Sequence, residues 1–165
     1  MVTEMPRLFM LIGVPGSGKS TWIRSRNHNA VIASTDDKIE AAAAAQGLTY
    51  DAVFDAEIKA ANAAMREDVK QAVKDQRDII WDQTNLTAKS RRGKLGQVPK
   101  SYERIALFFP TPDGEELQRR LVSRVGKTIP AHVMASMIAS LELPTAGEGF
   151  DQIYHAPNHR ELDHG

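Results

Sequence analysis

Nine residues near the start, GVPGSGKST from Gly13 to Thr21, have the types and order needed to hold a chain of phosphates. Gly13, Gly18, Lys19 and Ser20 fill every fixed position of the pattern G-x-x-x-x-G-K-[ST]. Glycines allow the backbone to curl until successive N–H groups converge on one anion, and a following helix adds the positive end of its dipole. Pro15, Gly16, Ser17 and Thr21 complete the cradle. Lys19 is placed to reach the β and γ phosphates of a nucleotide, and Ser20 offers a hydroxyl to Mg²⁺. The loop identifies a nucleotide site and leaves open whether a phosphate moves, and onto what.

Three further stretches carry chemistry. In VIASTDDKIE, Asp36 and Asp37 follow an apolar run. A carboxylate there can take the proton of an attacking hydroxyl. Ser34 with Asp37 equally fits a helix capping box, so catalysis and capping both stay open, and capping by Asp37 leaves Asp36 free. In DIIWDQTNLTAKSRRGK, Asp82 stands where a strand-ending acid holds Mg²⁺ in many nucleoside triphosphatases. Thr84 and Asn85 follow, able to hydrogen-bond an acceptor or phosphate, and Thr87 suits a helix N-cap. Lys89, Arg91, Arg92 and Lys94 form a basic cluster, either a solvated helix face or part of the crevice. In LQRRLVSRVGKTIP, Arg120 and Arg124 are four apart, which predicts one helical face, and a planar guanidinium suits charge on a transferring phosphoryl group.

The elements that must position these groups are legible as apolar runs. Leu8–Ile12, Ala30–Ala33, Asp78–Trp81 and Arg104–Phe109 read as buried strands, with a weaker fifth over Phe150–Tyr154. Continuous apolar character suits a parallel sheet covered on both faces. Helices fill the gaps: an Ala-rich one ended by Gly47, and a long one over Asp51–Gln76 with the stripe Phe54, Ile58, Ala61, Met65, Val69 and Ala72. Another opens at TPDGEEL and a last one follows Pro130. This predicts a doubly wound α/β fold with ligands at the carboxyl ends of the strands. Residues 1–155 are expected to form one domain and 156–165 a polar tail.

Joined in order, these stretches resemble the kinase domain of the polynucleotide 5′-kinase family, from about Met10 to Tyr154. The shared features are PGSGKST followed by Trp22, the acid after the second strand at Asp36, the DQTN of the third strand, the Arg120-x-x-x-Arg124 pair before a Pro-initiated helix, and LPTAGEGFDQIY near the end. The resemblance implies a P-loop kinase using ATP and Mg²⁺. Asp36 would be the general base, Lys19 and Ser20 the phosphate and Mg²⁺ residues, and Arg124 with Arg120 the lid; Thr84 would position phosphate or acceptor. Its acceptor would be a hydroxyl of nucleic acid, DNA more than RNA, with Asp37, Asp82, Asn85 and Arg92 as further substrate contacts. Certain phage kinases that phosphorylate hydroxymethyl groups on pyrimidines in DNA are also similar. So is the P-loop domain of heterogeneous nuclear ribonucleoprotein U, a binding module that lacks the aspartate after the second strand. Two departures fall on acceptor-side positions. Ile39 stands where phage-type members carry an arginine, and Gln83 where they tend to carry aspartate.

Composition bounds the alternatives. Lys plus Arg equals Asp plus Glu at 21 each, so no global basic field draws the chain to a polyanion. There is no cysteine, which excludes disulfides and thiolate chemistry, and the five histidines show no zinc-ligand spacing on a confident helix. No apolar run nears the roughly 18 residues of a membrane span. The expectation is a cytoplasmic protein with no membrane association and no obligate protein partner. A metabolite kinase and a non-catalytic nucleotide- or RNA-binding module remain as alternatives. A motor ATPase is disfavoured because Gln83, not a water-activating glutamate, follows Asp82.

Overall fold

The computed structural model describes residues 4–26 and 28–155; the polar tail, with His159 and His164, lies outside them. Five strands form one wholly parallel sheet: β1 (Arg7–Ile12), β2 (Val31–Ala33), β3 (Ile79–Trp81), β4 (Glu103–Phe108) and β5 (Gln152–His155), in the order β2-β3-β1-β4-β5. Between them run α1 (Lys19–Ser25), α2 (Thr35–Gln46), α3 (Tyr50–Lys74), α4 (Ala88–Leu95), α5 (Gly114–Val122) and α6 (Ala131–Ser140). The expected α/β architecture is therefore present. Strand ends differ from the sequence reading by one or two residues, because backbone pairing does not stop where apolar character does: it runs on to Arg7 and Glu103 and stops short of Ala30 and Phe109.

The central strand β1 explains the two-faced core. Alternate side chains of a strand point to opposite faces. Leu8, Met10 and Ile12 join Met65, Val69 and Ala72 of α3 on one side, while Phe9 and Leu11 join Trp22 of α1 and Phe109 on the other. Both faces are buried, so the strand reads as one unbroken apolar run. On α3 the buried stripe begins at Val53; Phe54 stays 37% exposed and packs on the Tyr50 ring at 5.7 Å. A smaller cluster of Val14, Leu117 and Met134 fastens α5 and α6 to the phosphate loop.

Gly47 ends α2 at φ 66 and its N–H caps the carbonyls of Ala43 and Ala44. Nothing lies within 4 Å of a Cβ built there, so replacement meets backbone strain and no clash. Gly47→Ala is expected to lower stability by about 1 kcal/mol, read as a lower urea midpoint at unchanged slope.

The basic cluster of α4 is divided by the fold. Arg91 is fully buried and donates to both Glu148 oxygens at 2.6 and 3.2 Å, to the Asn85 carbonyl at 2.9 Å and to the Leu143 carbonyl at 3.4 Å. Lys94 donates to the Asn85 side-chain oxygen and lies over the Trp81 ring. Arg92 is exposed. This is a correction to the sequence reading, which gathered them as one patch: on a helix, consecutive residues point in different directions.

Candidate active site

The phosphate loop leaves β1 at Gly13, whose N–H donates to the Thr84 carbonyl at 3.0 Å and so ties the loop to the segment after β3. A Cβ on Gly13 would lie 2.5 Å from Ser17 Oγ and 3.0 Å from the Phe109 carbonyl, which excludes any side chain. Gly16 and Gly18 take φ of 84 and 107, and Gly18 caps α1. Lys19 Nζ donates back to the Gly13 carbonyl at 2.6 Å. Ser17 Oγ is buried with no partner among the described residues. Folding seldom leaves a polar atom so, and a phosphate oxygen would satisfy it.

A cleft of about 930 Å³ opens over this loop. Pro15, Gly16, Ser17, Gly18, Lys19, Ser20 and Thr21 form one wall. Asp36, Asp37 and Glu40 enter from the first turns of α2, and Asp82, Gln83 and Thr84 from the end of β3. Arg120, Arg124 and Lys127 come from α5 and the turn that follows it. Parallel strands bring their carboxyl ends to one edge, so residues far apart in sequence meet there.

Two substrate-side expectations are not met by this geometry. Asn85 is 1% exposed, and its amide nitrogen donates to the Leu11 carbonyl at 2.7 Å and the Gln83 carbonyl at 3.3 Å. With φ 50 it is a buried bracket for the turn after β3. Arg92 is exposed on α4 and does not line the cleft.

The lid arginines also need correction. Arg120 and Arg124 do not share a helical face, because α5 stops at Val122. Ser123 Oγ donates to the Arg120 carbonyl at 2.8 Å, and Gly126 at φ 72 turns the chain. Arg120 is held by Glu116 at 2.8 Å and by the Gly16 carbonyl at 2.8 Å. Arg124, in the turn, reaches the same cleft with one guanidinium nitrogen buried and unpartnered among the described residues.

Charges in the cleft work on one another. Burial lowers the Lys19 pKa to about 8 against the pull of Asp82 and Asp36, a condition that an entering phosphate would relieve. Burial pushes Asp36 upward, but the Tyr50 hydroxyl and then Lys127 outweigh it, and the carboxyl sits below its ordinary value. Asp82 is raised, by burial first and then by Asp37 and Asp36, with Lys19 opposing. Asp37 is raised by burial and by its neighbours Glu40 and Asp36. As for capping, Ser34 Oγ accepts from the Asp37 N–H at 3.1 Å, so the serine caps α2 and both aspartates remain at its positive end.

Sequence reasoning missed two groups. Tyr50 Oη donates to Asp36 Oδ1 at 2.7 Å, and Lys127 Nζ pairs with Asp36 Oδ2 at 3.1 Å and with Glu40 at 2.9 Å. Only the cation three residues before Pro130, in a stretch already notable for its arginines, hinted at Lys127.

A parallel five-stranded sheet with a Gly-rich loop between β1 and α1 defines a P-loop, kinase-like fold. The chain belongs to the AAA domain family, whose model matches residues 8–144. It is 25% identical over 172 residues to heterogeneous nuclear ribonucleoprotein U-like protein 2 of Mus musculus, a match covering 96% of this chain and 22% of that protein. Among solved structures it is similar to a chain of the Pnkp1/Rnl/Hen1 RNA repair complex, with a TM-score of 0.65 and 24% identity over 85% of this chain and 45% of that one. It is also similar to a sugar kinase from Janibacter sp., with a TM-score of 0.57 and 19% identity over 95% and 90% of the two chains. The chain thus spans about a fifth of the curated relative and under half of the repair-complex chain. Among the described residues no helix is long and apolar enough to cross a membrane.

Proposed function

We propose that this protein is an ATP-dependent phosphotransferase that moves the γ-phosphate in line onto an alcohol, most simply a hydroxyl of nucleic acid. The observation that carries the reading is the shared cleft of Asp36 and the phosphate loop, close enough that Asp36 perturbs Lys19. Asp36 takes the acceptor's proton. An ordinary carboxylate suffices because the phosphoryl transition state is loose and the proton leaves late. Lys19 and Arg124 draw charge from the transferring group, and Arg120, fixed to Gly16, steadies the loop beneath it. Ser20, with Asp82 nearby in the cleft, would hold Mg²⁺, which would supply neutralising charge for the phosphates; the orphaned Ser17 hydroxyl and the glycine-only cradle fit the nucleotide itself.

The acceptor class rests on the resemblance to polynucleotide 5′-kinases and on the likeness to a chain from an RNA repair complex. The target would be a 5′-hydroxyl end or a hydroxymethyl group on a pyrimidine base. One observation favours a small polyol or sugar instead. Ile39 is fully buried against Ala43 and Val53, so no side chain from that position can grip an acceptor phosphate, while Asp37 and Glu40 make this wall acidic.

The deciding experiment offers γ-labelled ATP with 5′-hydroxyl oligonucleotides, hydroxymethylated DNA and a panel of sugars and polyols. Label is expected on nucleic acid. Label on a sugar or polyol alone would replace the acceptor class. ATP binding with no alcohol labelled would make the protein a nucleotide-binding module.

A further inference from the structure

The carboxylate of Asp36 has both oxygens engaged, Oδ1 by Tyr50 and Oδ2 by Lys127. Each oxygen keeps a second lone pair, but an ammonium held against Oδ2 lowers that oxygen's affinity for an acceptor's proton. The two partners are not held alike. Tyr50 opens α3 directly after its N-cap Thr49, and its ring is packed on Phe54. Lys127 comes from the turn between α5 and α6 and is held through its charge alone, by Asp36, Glu40 and the Tyr50 ring, in the same cleft as the phosphate loop.

We propose that Tyr50 is the positioning residue of the base, holding Asp36 Oδ1 throughout, while Lys127 covers Oδ2 only until nucleotide phosphates draw it away. The inference rests on the phosphotransferase reading above. An anion in the cleft competes with Asp36 and Glu40 for the ammonium, and the oxygen it uncovers is the one left to accept the proton. The backbone of the turn that carries Lys127 is anchored independently of that side chain, so the ammonium can change partners while the turn stays in place: Asp51 N–H donates to the Gly126 carbonyl at 3.1 Å, and the Asp51 carboxylate accepts from the Thr128 N–H at 2.8 Å. Lys127 also lies over the Tyr50 ring, 4.5 Å from its centre, so the two partners share one face. Other charges facing Asp36 are Asp37 and Glu40 of its own helix, Lys19 of α1, Asp82 after β3 and Arg124 beside Lys127.

The test uses Tyr50→Phe, which keeps the ring and removes the hydroxyl, and Lys127→Gln. Tyr50→Phe is expected to lower kcat about tenfold with KM for ATP unchanged, and to move the acidic limb of the pH–rate profile to higher pH, because a bond that stabilises the ionised form is gone. Lys127→Gln is expected to weaken ATP binding several-fold in calorimetry. Carbon-13 titration of the Asp36 carboxyl, assigned by its loss in Asp36→Asn, should move to higher pH in both variants, and this readout needs no turnover. If the carboxyl titrates as in the parent in Tyr50→Phe, the brace is overturned even in an active enzyme. If ATP binds Lys127→Gln as it binds the parent, the yielding role of Lys127 is overturned. If no alcohol in the panel is labelled, the function fails while the titration still judges the brace.

Discussion

Asp36→Asn is expected to lower the rate of phosphoryl transfer about 10²- to 10⁴-fold, roughly 3 to 5 kcal/mol of barrier, while ATP still binds. Asparagine keeps the shape, and its carbonyl can still accept from the Tyr50 hydroxyl that now meets Oδ1 at 2.7 Å. What disappears is an acceptor for the departing proton. Loss of folding does not explain such a result, because the side-chain cap of α2 is Ser34 and not either aspartate. Removing one charge at the helix start costs about 0.3 to 1 kcal/mol of stability. Initial rates at saturating ATP, with calorimetry for nucleotide affinity and a melting curve for fold, separate these effects. A variant with parental kcat would reduce Asp36 to a helix-end charge. The same carboxyl sets a pH dependence. Its value is depressed, so the base is ionised at neutral pH, and activity falls as pH drops through the folded value, below the ordinary aspartate range.

The second large effect concerns stability. Arg91→Met should destabilise the fold by about 3 to 5 kcal/mol, a fall of roughly 6 to 20 °C in melting temperature for a chain of this size. Arg91 is fully buried, and its guanidinium joins α4 to the turn at Asn85, the chain at Leu143 and the carboxylate of Glu148. Without it, Glu148 keeps only its Thr145 donors and its charge is left uncompensated, and the Asn85 and Leu143 carbonyls each lose a donor. Glu148 is itself placed by a reciprocal cap with Thr145, so the PTAGEGF stretch acts as a fastener for α4. Replacing both partners by apolar residues should recover part of the loss, since the uncompensated charge is then gone. Burial pushes the Glu148 carboxyl upward, but the bonds from Arg91 and Thr145 outweigh this and hold it below its ordinary value. Its contribution is therefore present at neutral pH and vanishes as pH falls through the folded value. Differential scanning calorimetry of the parent and Arg91→Met should show the gap in melting temperature narrowing in acid.

The phosphate loop, the succession of apolar runs along the chain and the helix ends at Gly47 and Thr87 could be read directly from the sequence. Each depends on neighbours within a few residues: glycines that permit a left-handed turn, apolar runs long enough for a buried strand, a hydroxyl three positions before the N–H it caps. Local physics leaves its signature in local sequence. The misreadings share the opposite cause. Arg124 looked helical because Arg120 lies four residues earlier, yet the helix ends at Val122 with Ser123 as its cap, before Arg124 is reached. Asn85 looked like a substrate contact and Arg91 like one of a basic patch because polar groups near a crevice usually face it, yet the fold turned both inward to satisfy backbone carbonyls. The acid at position 36 was visible from the start, but not its surroundings. Tyr50 stands 14 residues away and Lys127 stands 91, on separate elements that only the crossing of α2, α3 and the α5–α6 turn brings together. By itself the sequence determined that a nucleotide's phosphates have a cradle and that an acid follows the second strand. Only the tertiary structure decided which groups hold that acid ionised, because hydrogen bonds and ion pairs depend on distances in space that spacing along the chain does not encode.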